Sequence, residues 1–294
     1  MASAELRLVR RRIRSVQSTM KITSAMELIA ASRIVKAQSR VEAAQPYTNK
    51  LVEVISNVGA ASGGVSHPLL ETRELSHAGI LVVTSDRGLA GAYNTNVIRM
   101  AEARLIELNN QRVDLRLYTV GKKADSYFRY RGYQIERSFL GVTDTPGYGD
   151  ARAVANTILN DYAQETVDAV EAFTTRYVSA LTQTASLWPL LPIQPPEQAE
   201  GDEEAVTVGY SYEPSPEAIL DRLLPRYLES SVFGILLEAS AAEHASRRRA
   251  MKAATENAEE LTRILSRQAN RARQAEITTE ISEIVGGAEA LSVG

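Results

Sequence analysis

From Leu6 to Val58 the chain carries a seam at alternating steps of three and four residues: Leu6, Val9, Ile13, Val16, Met20, Thr23, Glu27, Ala30, Ile34, Ala37, Val41, Ala44, Thr48, Leu51, Ile55 and Val58. Only Thr23, Glu27 and Thr48 are polar, no glycine precedes Gly59, and Pro46 is the single proline in this stretch. Helices repeat every 3.6 residues, so a seam kept over several heptads dictates one long coiled-coil-like helix, roughly 80 Å at 1.5 Å per residue. Such a helix outreaches a globular domain. At Thr23 and Glu27 the seam weakens while Ile22, Met26 and Ile29 supply an adjacent apolar stripe, which turns the buried face toward a second surface at that level.

The other end repeats the pattern. Pro225 suits a first helical position, and Leu228, Val232, Ile235, Ala239 and Ala242 follow at helical spacing. Met251, Ala254, Ala258, Leu261 and Leu265 continue the stripe, and beyond a polar stretch at Asn270 to Gln274 come Ile277, Ile281, Ile284, Ala288 and Leu291. This helix spans about 100 Å if unbroken. Alanine recurs along both seams and small residues let helix axes approach, so the two terminal helices are expected to pair with each other in antiparallel order.

The middle has a different grammar, opening after the linker at Gly59 to Pro68. Strands are expected at Ile80 to Val83, Leu115 to Gly121, Ala169 to Thr175 and Ser186 to Ile193, and helices at Asn94 to Asn110, Lys122 to Tyr130 and Arg152 to Tyr162. Strands alternating with helices imply a mainly parallel sheet with helices on its faces. Pro192 to Ala205, rich in proline and acid without periodicity, marks a surface loop. The expected fold is therefore α/β: a long antiparallel two-helix coiled coil from the N- and C-terminal segments plus a central Rossmann-like α/β domain, divided at 1–58, 59–214 and 215–294.

At 294 residues, 44% hydrophobic and 23% charged, the chain is too apolar to be disordered overall, and its net charge of -3 excludes a globally basic nucleic-acid binder. The charge is uneven. Met1 to Ala44 holds nine arginines and lysines, Arg7 to Arg40, against Glu5, Glu27 and Glu42. Aromatics do not interleave with these cations, as nucleic acid would require, and the Val, Ile and Ala seam suits helix pairing better than a membrane surface. An acidic protein partner is what remains. Cysteine is absent, which removes disulfides, thiolate metal sites and thiol switches. No run of about 18 apolar residues occurs, so direct membrane insertion is not expected.

The most enzyme-like feature is Ser85 to Asn94, where a buried strand runs into a glycine-containing turn and a helix start, the place where α/β proteins hold phosphates. It lacks GxGxxG, and Arg116 stands where a P-loop ending at Lys122 needs its first glycine. Gly88 and Gly91 then serve turn geometry, with Asp86 a partner for a helix N-terminus, and Gly147 and Gly149 read as loop. Ser18 and Lys21 match SxxK without the companion motifs. His67, His77 and His244 lie far apart without metal-ligand spacing and are expected to face solvent, as are the paired acids Glu203 and Glu204, and Glu259 and Glu260. No catalytic residue, cofactor or metal is assigned. The polar island of Asn270, Arg271, Arg273 and Gln274, followed by Thr278 and Glu280, is costly along a buried seam unless a partner satisfies it, so this turn is expected to hydrogen-bond to another chain.

Arg10 to Gln38 and Arg247 to Leu291 closely resemble the terminal helices of the gamma subunit of F-type ATP synthases. KITSAM at Lys21 to Met26 together with RARQAEIT at Arg271 to Thr278 carries the likeness most specifically. Leu81 to Val97, Leu190 to Ile193 and Tyr212 to Arg247 are similar to the same family, so the resemblance covers essentially the whole chain. It implies a rotor, the paired helices forming a shaft inside a ring of three alpha and three beta subunits and the α/β domain sitting on the membrane c-ring with the epsilon subunit. Nucleotide chemistry then belongs to the ring. The resemblance puts Met26 and the basic turns near it, Lys21 included, where the shaft meets acidic levers of the beta subunits. It puts Arg247, Gln274, Thr278 and Glu280 on a hydrogen-bonding surface toward the ring. Ser24 departs from the lysine many members carry there, and the cysteine-bearing insertion of the chloroplast proteins is missing, so the bacterial form is implied, peripheral on the cytoplasmic face of the cell membrane. The alternatives from other classes are a nucleotide-binding α/β enzyme using the Asp86 to Asn94 turn and a passive coiled-coil scaffold.

Overall fold

The computed structural model describes residues 4–61, 67–194, 213 and 215–292. In chain order they form α1 (Ala4–Ala61), β1 (His77–Val83), α2 (Tyr93–Asn110), β2 (Asp114–Val120), α3 (Lys122–Tyr130), β3 (Ile135–Phe139), α4 (Tyr148–Ala163), β4 (Ala169–Tyr177), β5 (Gln183–Leu191) and α5 (Pro216–Ser292). Two compact units result, Met1–Ala30 with Arg248–Gly294, and Ala31–Arg247. Both terminal helices contribute to both units. Among the described residues no helix is long and apolar enough to cross a membrane.

The first unit is a helix pair. Leu6, Ala30, Met251, Ala258 and Leu265 are buried, and Val9, Ile13, Val16 and Met20 are half-buried, which is the expected seam. Thr23 meets Thr255, while Val16, about two turns earlier in α1, lines the same hollow as Leu265, later in α5. The order is therefore antiparallel. The polar member Thr23 is accommodated because its hydroxyl lies 2.7 Å from that of Thr255 and donates to the Met20 carbonyl at 3.0 Å.

The second unit holds a five-stranded sheet in the order β3-β2-β1-β4-β5, with β1 to β4 parallel and β5 antiparallel to β4. Strand side chains alternate between faces, and β1 shows the consequence. Ile80 and Val82 pack with Val97, Leu105 and Phe128 of α2 and α3, whereas Leu81 and Val83 pack with Val154 and Ile158 of α4 and with Ile55 of α1 and Leu228 and Val232 of α5. Each fully buried side chain of this kind contributes about 2 kcal/mol, so a strand covered on both faces is apolar throughout. Thr48 of α1 meets Ser230 of α5 at 2.7 Å in this unit.

Several expectations need correcting. The helix expected to open at Pro225 opens at Pro216, because Ser215 accepts the amide hydrogen of Ala218 at 3.3 Å and Pro216 takes the first helical position. Pro225 lies inside α5, at the cost of one backbone bond. The strand β3, IERSF, was not anticipated: as an edge strand with exposed Glu136 and Arg137 it lacks the apolar run that marks β1. Gly147 caps α4 and Gly149 lies within it, where a loop was expected. Residues 195–205 of the expected surface loop and residues 62–66 of the expected linker lie outside the described residues.

Candidate partner-contact surface

In the first unit Lys21 is exposed and Met26 half-buried, and they sit among Ile22, Leu28 and Ile29, which are exposed despite being apolar. The seam of α1 faces α5, so this second stripe points away from it, as the weakening at Thr23 and Glu27 foreshadows. A cation beside bare isoleucines and a leucine makes a surface suited to a partner that is part apolar and part acidic.

The C-terminal half of α5 is barer still. Equal rise in the two antiparallel helices brings Ala4, where the described part of α1 begins, level with about residue 275 of α5. Beyond that level the heptad pattern continues past the described part of α1, and Ile277, Ile281, Ile284 and Val285 are exposed, Ile284 by 70%. The sequence already held the signal for this overhang. Its apolar spacing in α5 runs past the level of Leu6, the first residue of the α1 seam.

Arg273, Gln274, Thr278 and Glu280 are all exposed on this overhanging stretch. The Thr278 hydroxyl donates to the Gln274 backbone carbonyl at 2.9 Å, and Gln274 itself is exposed. Long polar donors therefore alternate with a bare apolar stripe on one helix.

Arg247 is placed differently. It is 7% exposed, inside the second unit, where its guanidinium donates to Glu243 at 2.6 Å and to the Gly88 carbonyl at 3.2 Å. Burial pushes Glu243 up to about 7, against the opposing pull of Arg247. In this geometry Arg247 ties α5 to the turn after β1. The sequence carried the clue as Glu243 and Arg247 one helical turn apart. Asp144, Glu243 and His244 bring potential ligand atoms within 4.8 Å of one another, but the arginine already supplies the cation there.

The histidines expected in solvent are mostly inside. His244 is buried with Nε2 3.3 Å from the Asp144 carbonyl, and burial lowers its affinity for a proton. His67 is buried and accepts the Leu69 amide hydrogen at Nδ1, with Nε2 3.1 Å from Asp221. Only His77 is substantially exposed, beside Asp168. Isolated histidines give no periodicity to read, so their burial was not legible.

The phosphate-like turn is closed by the chain itself. Asp86 accepts backbone amide hydrogens from Lys122, the first residue of α3, from Gly141 and from Thr143, and also the Thr143 hydroxyl. Partial burial raises its proton affinity, yet these donors outweigh that and hold Asp86 below the ordinary carboxylate range. A carboxylate thus stands where a phosphate would meet a helix N-terminus.

Comparison with known proteins places this arrangement. The family described as ATP synthase matches residues 5–291. The ATP synthase gamma chain of Parafrankia sp. (strain EAN1pec) is 48% identical over 99% of this chain and 99% of its own length. Among solved structures, the central stalk and c-ring of the Tetrahymena thermophila mitochondrial ATP synthase contains a chain 25% identical, with a TM-score of 0.59, covering 79% of this chain and 99% of that one. A chain of the Euglena gracilis mitochondrial ATP synthase shares the fold at a TM-score of 0.70 and 17% identity, over 99% and 95% of the two chains.

Proposed function

The chain belongs to the ATP synthase gamma-chain family, the non-catalytic rotor of the central stalk, and on that premise we propose how its surface couples rotation to chemistry done elsewhere. The first unit enters a ring of three alpha and three beta subunits. The second rests on the membrane c-ring with the epsilon subunit. Ion flow through the membrane sector turns the c-ring and this chain with it, driving ATP synthesis in the ring, or hydrolysis drives the turning in reverse. The location is peripheral, on the cytoplasmic face of the bacterial cell membrane.

The observation that carries this reading is the exposed apolar stripe of α5, whose Ile277, Ile281, Ile284 and Val285 lie beyond the level of Ala4, where the described part of α1 begins. Arg273, Gln274, Thr278 and Glu280 on the same stretch supply hydrogen bonds to the ring, and Lys21 with Met26 supplies a second contact toward acidic beta-subunit segments. A helix pair with different chemistry on each side meets three equivalent sites unequally. Each site then favours a different conformation, and turning the pair permutes those preferences. Arg247, bonded within its own unit, keeps the turn after β1 attached to α5. Tagging the chain and purifying it from its host tests the assembly: alpha and beta subunits should accompany it, and recovery without them contradicts the reading.

A further inference from the structure

In the second unit the loop from β3 to α4 is bonded to both long helices. Arg33 of α1 forms an ion pair with the Asp144 carboxylate, and Arg40 of α1 donates to the Pro146 carbonyl. The Asp144 carbonyl accepts the Ser240 hydroxyl of α5 at 3.1 Å and lies 3.3 Å from Nε2 of His244, also on α5. A carbonyl only accepts, so Nε2 of His244 carries the hydrogen, and Nδ1 is left to face the Arg247 guanidinium at 3.4 Å. The same loop is fixed to the turn after β1, where Asp86 accepts the amide hydrogens of Gly141 at 3.0 Å and Thr143 at 3.3 Å. One loop thus holds α1, α5 and the sheet.

The chemistry of these bonds differs from that of the core. Ile55, Leu228 and Val232 join the helices to the sheet by apolar burial, which is non-directional. Hydrogen bonds and ion pairs weaken steeply once their distance or angle departs from the optimum, so bonds from one loop to two helices oppose any sliding or twisting of either helix against the sheet. Ser240 and His244 are buried, and the Asp144 and Arg33 side chains are only 31% and 38% exposed, so water screens the pair less than it does an open surface pair.

We propose that this loop is the strap through which the sheet and the two long helices turn together under load, with Asp144 as its positioning residue, binding α1 through its carboxylate and α5 through its carbonyl. The strap presupposes the rotor reading above and adds the place where load passes from the sheet into the helices. Both helices leave this unit near it in sequence, α1 at Ala31 and α5 at Arg247. Arg33 and Arg40, two cations of the N-terminal run, are thereby engaged inside the chain and not on a partner.

The test uses the assembled complex in membrane vesicles and two rates. ATP hydrolysis with the ion gradient collapsed by an uncoupler loads the shaft little, whereas ATP synthesis at a fixed imposed gradient requires the sheet to drive the helices. Asp144→Ala should leave uncoupled hydrolysis at the wild-type rate and lower synthesis several-fold. Arg33→Gln should lower synthesis likewise, and Arg33→Lys, which keeps the charge without the guanidinium fork, should retain more of it. Tyr177→Phe removes a neutral bond from Gln38 of α1, at 2.6 Å, and should change neither rate. Wild-type synthesis by Asp144→Ala, an equal loss of both rates in it, or the same loss of synthesis in Tyr177→Phe overturns the strap. Should Asp144→Ala fail to assemble, Arg33→Gln and Arg33→Lys carry the test, and equal synthesis by the two overturns it. Failure of the rotor reading itself shows separately, as a wild-type chain that alpha and beta subunits do not accompany.

Discussion

Thr23 and Thr255 face each other across the antiparallel pair of α1 and α5 with their hydroxyl oxygens 2.7 Å apart, one hydroxyl donating to the other while the accepting one donates to its own helix, Thr23 to the Met20 carbonyl or Thr255 to that of Met251. This contact explains how a seam can hold a threonine, and it sets the register of the first unit.

A double-mutant cycle checks it. Thr255→Val should cost about 1 kcal/mol by stranding the Thr23 hydroxyl, and Thr23→Val about the same, whereas the double variant should cost less than the sum because no polar group is left without its mate. Urea unfolding of the free chain reads all four stabilities. Strict additivity would show that the two hydroxyls do not depend on each other.

Glu243 makes the second prediction. Its proton affinity in the folded chain, near 7, exceeds that of an unfolded glutamate near 4.5, so the native state holds more protons between those values. Stability contributed by this group is therefore full below about pH 4.5 and is lost as pH rises toward 7, at up to about 1.4 kcal/mol per pH unit. His244, with lowered affinity, acts in the opposite sense, losing stability as pH falls below its ordinary value. The difference between wild type and Glu243→Gln isolates the first effect. Denaturant unfolding from pH 4.5 to 7.5 should show the variant losing the downward slope, and parallel profiles would contradict it.

Gly121 and Gly234 should respond to alanine in opposite directions. At Gly121 φ is +88° and a Cβ would lie 2.3 Å from the Thr84 carbonyl oxygen, so Gly121→Ala should cost about 3 kcal/mol or more through strain and overlap. At Gly234 the space is open, and Gly234→Ala should raise stability by up to about 1 kcal/mol. Thermal melting of the two variants gives both signs.

Much of this was legible beforehand. The seam Leu6 to Val58 dictated α1, ILVV dictated β1, and the polar side chains from Arg273 to Glu280 stood out because they interrupt an apolar spacing. What escaped reading was set by tertiary context. Pro225 carried a helix-start signal that Ser215 and Pro216 carried better, and β3 is short and polar because it sits at the sheet edge. For Arg247 the pairing with Glu243 one turn away was readable, but its bond to the Gly88 carbonyl was not, because it depends on a turn distant in sequence.

Because Arg273 and Gln274 are exposed, Arg273→Ala and Gln274→Ala should change the stability of the free chain by no more than about 0.5 kcal/mol. In the assembled complex each should lower coupled ATP synthesis or hydrolysis several-fold. Melting of the isolated chain and steady-state activity of the complex separate the two effects, and an equal loss in both would show the side chains acting inside the chain.

Rotation of the helix pair is the central claim, and the absence of cysteine in this chain allows one engineered thiol to test it. Ser18 is exposed, two residues from the half-buried Val16 and Met20, and so points away from the seam. In the assembled complex, Ser18→Cys joined by a disulfide to a thiol placed on a beta subunit requires only Cα atoms within about 7 Å. The measurement is multi-turnover ATPase rate against cross-linked fraction, before and after dithiothreitol. A turning shaft predicts activity falling in proportion to cross-linking and returning on reduction, whereas a fully cross-linked complex that keeps its uncross-linked rate would contradict it.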